Sequence, residues 1–76
     1  MISEAEAIKI AKKLAEDNSL PWAEPIEVIF RRSWFGKPLR YEILSNILTF
    51  GPKVKVYIDA NTGEILDIEH WGKSGR

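Results

Sequence analysis

The spacing of the apolar residues changes once along this chain, and that change constrains the fold more than any other feature. Up to residue 18 these residues recur at helical spacing, whereas from Pro25 onward they alternate with polar residues. Pro21 and Pro25 separate the two regions, because proline does not continue a helix. A chain of 76 residues has room for one domain only. The pattern therefore predicts a single α+β domain over residues 1–76.

The first region is predicted to be a helix over residues 3–18. Ser3 and Glu6 have the S-x-x-E spacing of a capping box, and Asn18 is a suitable C-terminal stop. The apolar stripe is rich in alanine, which predicts a close approach to a sheet. Its residues are Ala7, Ile8, Ile10, Ala11, Leu14 and Ala15.

The second region is predicted to contain four strands, at about 26–34, 39–46, 53–59 and 64–71. Glycine or proline residues lie between successive strands, so each pair is predicted to form a hairpin. Successive hairpins predict an antiparallel meander in the order 1-2-3-4, with the helix across one face. The residues predicted to face the helix are Val28, Phe30, Tyr41, Ile43, Val54, Val56, Ile58, Leu66 and Ile68.

Composition excludes several classes of protein. The chain has no cysteine, so disulfides, thiol catalysis and thiolate zinc sites are excluded. No apolar run approaches the roughly 20 residues that cross a bilayer, so no membrane partner is expected. The first residues lack the basic and apolar regions of an export signal, and a cytoplasmic location is expected.

The sequence contains no convincing catalytic or metal-binding pattern. His70 is the only imidazole, and no nucleophile lies in a recognisable setting around it. Asp67 and Glu69 share a strand face, which is ordinary for outward positions. The segment 59–64 superficially resembles a calcium loop, but Gly63 occupies the fifth position, where a ligand is required. We therefore expect no enzyme activity, no cofactor and no metal.

Two stretches together resemble a known family. They are Glu4-Ala5-Glu6-Ala7-Ile8-Lys9-Ile10-Ala11-Lys12-Lys13 and Val56-Tyr57-Ile58-Asp59-Ala60-Asn61-Thr62-Gly63-Glu64-Ile65-Leu66. They are similar to the helix start and the T-G-E hairpin of the PepSY domain, found in propeptides of secreted metallopeptidases and in many small bacterial proteins. The resemblance implies a helix-on-sheet module that binds other proteins and, in some relatives, restrains a peptidase. A stand-alone copy also resembles small immunity proteins that occlude a bacterial toxin.

The candidate interface combines the basic middle of the chain with the sheet face that the helix is not predicted to cover. That face is predicted to carry Ile29, Leu44, Tyr57, Ile65 and Trp71 among its charges. Residues 31–55 contain six basic residues and one acidic residue, although the whole chain has a net charge of zero. Arginines interleaved with aromatic residues are typical of protein-binding hot spots. The candidate partner-binding residues are Arg31, Arg32, Trp34, Phe35, Arg40, Tyr57 and Trp71. The expected partner is a peptidase or a toxin.

Several alternatives remain open from the sequence. The Arg31–Arg40 cluster is also suited to nucleic acid, although zero net charge disfavours that partner. An exposed edge strand is compatible with a homodimer as well as a monomer. Trp34 and Phe35 either project outward or fold back onto the end of the sheet. Trp22 and the uncharged segment 46–52, with Ile47, Leu48 and Phe50, belong either to the core or to an interface.

Overall fold

The computed structural model describes residues 1–47 and 52–71, and for Trp71 the backbone only. One helix is followed by four strands, which form one antiparallel sheet in the order β1-β2-β3-β4. The elements are α1 (Glu4–Asp17), β1 (Glu27–Arg32), β2 (Pro38–Leu44), β3 (Lys53–Asp59) and β4 (Ile65–Trp71). The predicted α+β class and the meander order are thereby confirmed.

Helix α1 begins and ends where its capping residues place it. The backbone N–H of Glu6 donates to Ser3 Oγ at 3.1 Å, which satisfies one of the N–H groups left free in the first turn. At the other end, the side-chain amide of Asn18 donates to the carbonyl of Leu14 at 2.9 Å. Lys13 and Asp17 form an i,i+4 ion pair at 3.5 Å on the solvent side.

The helix packs on the middle of the sheet, against β2 and β3. Its three alanines Ala7, Ala11 and Ala15 are fully buried, since their small side chains allow the helix to approach the sheet closely. The chain before the helix is also fixed to the sheet, because Tyr41 Oη donates to the carbonyl of Ile2 at 3.0 Å. The buried core cluster consists of Ala7, Ala11, Tyr41, Ile43, Val54, Val56, Ile58 and Ala60.

A register shift in the last hairpin corrects part of the predicted core. Val56 lies opposite Ile68, but Ile58 lies opposite Ile65, so β4 has one extra residue between the two pairs. Leu66 was predicted to face the core and instead is 51% exposed, whereas Ile65, predicted for the outer side, packs against the core. Ile68 lies opposite a core residue but stays 36% exposed, because α1 packs on β2 and β3.

The connections settle one of the open alternatives. Trp22, between α1 and β1, packs against the core cluster, so it belongs to the core. Ile47 is half-buried. Leu48 and Phe50 lie outside the described residues, as does the tail 73–76.

Candidate protein-binding surface

The sheet has one face that the helix does not cover, and we call it the outer face. Every second residue of each strand points to this face. Glu42 lies at its centre, in register with Ile29 on β1 and with Tyr57 on β3. Arg31 and Arg40 lie opposite each other on the same face.

Glu42 is 2% exposed although it lies on this open face. Its Oε2 accepts hydrogen bonds from Arg40 Nε at 2.9 Å and from Arg31 Nε at 3.1 Å. Its Oε1 lies 3.1 Å from Lys55 Nζ. Three cationic side chains thus surround one carboxylate and cover it from solvent. We call these four residues the Glu42 cluster.

The electrostatics of the Glu42 cluster favour the ionised forms of Glu42 and Lys55. Burial raises the pKa of Glu42, but the hydrogen bonds from Lys55, Arg40 and Arg31 outweigh burial and leave that pKa below its ordinary value of 4.5. The hydrogen bond to Glu42 raises the pKa of Lys55 above 10.5, against the opposing effect of burial. At neutral pH the cluster therefore has three positive charges and one negative charge, a net charge of +2.

Tyr57 adds an aromatic surface beside the cluster. Its ring centroid lies 5.1 Å from Lys55 Nζ and 5.8 Å from Arg40 Cζ, within the range of cation–π attraction. Its hydroxyl donates to Glu69 Oε1 at 2.9 Å. Arg40 and Tyr57 line a shallow pocket with Leu66 and Asp67. The outer face therefore combines fixed charge, an aromatic ring and an exposed apolar side chain.

The hairpin between β1 and β2 ends in a second surface, the β1–β2 tip, which comprises residues 32–37. Trp34 is 93% exposed and Phe35 is 84% exposed, so they do not fold back onto the end of the sheet. Ser33 fixes the turn, because its Oγ accepts the backbone N–H groups of Phe35 and Lys37 at 3.3 and 3.2 Å. Gly36 completes the turn with a φ of +83°.

The structure divides the predicted interface residues into two groups. Arg31, Arg40 and Tyr57 lie on the outer face, whereas Arg32, Trp34 and Phe35 belong to the β1–β2 tip. The backbone of Trp71 lies opposite Lys53, and the Trp71 side chain lies outside the described residues. Two of the four cations considered for nucleic acid, Arg31 and Arg40, pair with Glu42 and so have less charge to offer a phosphate.

Sequence reasoning missed three residues of the outer face: Glu42, Lys55 and Leu66. A signal for Glu42 existed, since it is the only acidic residue within the basic stretch 31–55. Lys55 can be assigned to the Glu42 cluster only once the register of β2 and β3 is known. Leu66 had no signal, because alternation places it on the opposite face.

Other kinds of site are limited by the same geometry. Within residues 1–47 and 52–71, no three acidic or histidine residues lie close enough together to hold a metal ion. In that same part of the chain, no helix is long and apolar enough to cross a membrane.

The described residues define a small domain in which α1 covers one face of an antiparallel meander and does not cover the other. The family model described as PepSY, peptidase propeptide and YPEB domain, matches residues 1–69. The chain belongs to the PepSY family, as the sequence resemblance indicated. Domains of this family are modules of the peptidase-propeptide or inhibitor type and are generally not catalytic. No curated protein and no solved structure is significantly similar to the chain.

Proposed function

We propose that this chain is a non-enzymatic protein-binding domain that occludes a peptidase or a toxin by docking its outer face onto it. Membership of a family of propeptide and inhibitor modules supports a protein partner. The Glu42 cluster is the observation that favours the outer face as the binding surface. Its four charges are held at fixed positions on the outer face, which α1 does not cover.

The chemistry of the outer face suits a protein interface. Arg31, Arg40 and Tyr57 belong to the residue types that contribute most to binding energy. Their side chains are oriented by Glu42 and Glu69 before a partner arrives, which reduces the entropy lost on binding. The Glu42 cluster, with a net charge of +2, lies beside Asp67 and Glu69 of β4, so the outer face favours a partner surface with charges of both signs.

The first experiment is a tagged pull-down from nuclease-treated lysate and culture medium of the source organism, with mass spectrometry of the bound proteins. We expect one stoichiometric partner whose peptidase or toxin activity falls when the purified chain is added. The double variant Tyr57→Ala, Leu66→Ala should lose that partner, since both residues line the pocket on the outer face.

The matched control is Lys9→Ala, Lys12→Ala, which changes two exposed residues of α1. It should retain the partner. If the control and the outer-face variant captured the partner equally well, the interface would have to lie on another surface of the chain. Recovery of no protein would contradict the proposal, and two alternatives would then gain weight. Binding of nucleic acid that weakens steeply with salt would favour a nucleic-acid-binding domain. A mass that rises with protein concentration would favour self-association through an edge strand.

A further inference from the structure

The β1–β2 tip presents its apolar surface in an unusual way. Trp34 and Phe35 are consecutive, and among the described large apolar side chains they are the two most exposed. Most of each side chain is in contact with solvent, and neither residue belongs to the core cluster. An exposed aromatic pair of this kind is unfavourable in water, and it indicates a surface that binds something apolar.

Positive charge lies on both sides of this aromatic pair. Residues 31–41 contain four basic residues and no acidic residue. Arg31 and Arg40 pair with Glu42, but no carboxylate within the described residues lies within 4 Å of the cationic groups of Arg32 or Lys37. Arg32 and Lys37 flank the aromatic pair in the sequence of the tip, and the guanidinium of Arg32 lies 4.9 Å from the ring centroid of Phe30 at the base of the hairpin.

Hydrogen bonds within the β1–β2 tip hold the turn that carries the two rings. The N–H of Ser33 donates to the carbonyl of Lys37 at 2.8 Å, and the N–H of Gly36 donates to the carbonyl of Ser33 at 2.9 Å. Arg32 Nη1 donates to the carbonyl of Gly36 at 3.0 Å, which fixes that side chain against the turn. Such a turn loses little conformational entropy on binding.

The size of the surface distinguishes between possible binding targets. A stable protein interface buries roughly 800 Å² on each partner, over about 20 to 30 residues a side. A six-residue turn is much smaller than that. A lipid bilayer accepts a small protrusion, because tryptophan favours the headgroup region and lysine or arginine is attracted to anionic lipids.

We propose that the β1–β2 tip binds the surface of an anionic lipid bilayer. Trp34 and Phe35 enter the headgroup region, and Arg32 and Lys37 lie beside the lipid phosphates. The sequence predicted no membrane partner, because no apolar run is long enough to cross a bilayer. Binding to the surface of a bilayer does not require such a run. The tip and the outer face share no residue, and the proposal therefore stands independently of the proposed protein partner.

The test is co-sedimentation of the full chain with vesicles of phosphatidylcholine alone or mixed with phosphatidylglycerol. We expect the chain to bind the mixed vesicles and to release at high salt. The variant Trp34→Ala, Phe35→Ala should lower the partition coefficient by about tenfold or more, because two aromatic side chains no longer enter the bilayer. The variant Arg32→Ala, Lys37→Ala should lower it by about tenfold on mixed vesicles only.

Two further variants separate the tip from the rest of the chain. Lys9→Ala, Lys12→Ala removes the same charge from α1 and should bind vesicles as the unchanged chain does. Trp34→Phe keeps an aromatic ring and should still bind, but it should lose the blue shift of tryptophan emission on vesicle addition. Circular dichroism should match for all variants, since the changed side chains are exposed.

Three outcomes would overturn the proposal. The unchanged chain could fail to sediment with either type of vesicle. The Trp34→Ala, Phe35→Ala variant could sediment as well as the unchanged chain. The Lys9→Ala, Lys12→Ala control could lose as much binding as Arg32→Ala, Lys37→Ala, which would indicate attraction by charge alone. Loss of a protein partner in the tip variants, without any vesicle binding by the unchanged chain, would assign the tip to a protein instead.

Discussion

Lys55 Nζ lies 3.1 Å from Glu42 Oε1, on the side of the sheet away from the helix. The two residues come from neighbouring strands, and the ion pair therefore ties β2 to β3 through side chains as well as through the backbone. Arg31 extends the same connection to β1. A single carboxylate thus links three of the four strands on the face that α1 does not cover.

Replacing Glu42 with glutamine should destabilise the domain. The change leaves three cations close together without the carboxylate that they contact. We expect the free energy of unfolding to fall by about 1–3 kcal/mol, measured by urea denaturation. Glu27→Gln is the matched control, because Glu27 is an exposed carboxylate of β1. An equal decrease in the free energy of unfolding for Glu27→Gln would show that the contacts of Glu42 do not contribute to stability.

Stability should also depend on pH through the same residue. The pKa of Glu42 in the folded chain lies below its ordinary value of 4.5. Its contribution is therefore complete above about pH 4.5 and is lost as the pH falls through the folded-state pKa. The difference in melting temperature between the unchanged chain and Glu42→Gln should shrink toward zero in acid. A difference that stays constant from neutral pH into acid would contradict this assignment.

Gly63 should tolerate alanine less well than Gly36 does. Both have positive φ, +82° and +83°, so alanine at either position costs about 1–2 kcal/mol in backbone strain. At Gly63, a Cβ atom would also lie 3.3 Å from Ile10 Cδ1, whereas nothing lies within 4 Å at Gly36. Chemical denaturation of the two variants compares them directly. Equal decreases in the free energy of unfolding would show that the Ile10 side chain can move aside without destabilising the domain.

Two tyrosines provide a matched test of hydrogen bonding. Tyr41 Oη donates to the carbonyl of Ile2 from within the core, whereas Tyr57 Oη donates to Glu69 in solvent. Tyr41→Phe should lower the free energy of unfolding by about 1 kcal/mol. Tyr57→Phe should change it by less than about 0.5 kcal/mol. The reverse order would mean that the segment before α1 is not fixed by Tyr41.

The close approach of α1 to the sheet predicts strict limits on side-chain size. Ala11 is fully buried, so Ala11→Leu should cost about 1–3 kcal/mol through overpacking. Ala5 is exposed on the same helix, and Ala5→Leu should be close to neutral. Thermal melts of the two variants provide the measurement. A neutral result for Ala11→Leu would mean that the helix can move away from the sheet at little cost.

The sequence predicted the architecture because the periodicity and the turn residues agree with each other. Alternation correctly placed Tyr41, Ile43 and Val56 on the helix side. It was wrong for Ile65 and Leu66, since a single extra residue in β4 exchanges the two faces of the strand. A bulge of this kind depends on the pairing partner, and no local residue pattern marks it.

The candidate site was less accessible to prediction. The sequence identified Arg31, Arg40 and Tyr57 as surface residues, but it could not show that one carboxylate organises them. That arrangement depends on the register between strands, which brings Glu42 and Lys55 together from positions 13 residues apart. Likewise, the sequence allowed Trp34 either to project outward or to fold back onto the sheet, and the folded hairpin leaves it 93% exposed.

The position of Gly63 has a consequence for how the family is recognised. The helix stretch contains Ile10 and the T-G-E hairpin contains Gly63, about 50 residues apart in the chain, yet the two meet in the folded domain. The two signatures are therefore the two sides of one tertiary contact rather than two independent local motifs. A chimera that takes its helix from one PepSY domain and its hairpin from another would have to match them as a complementary pair.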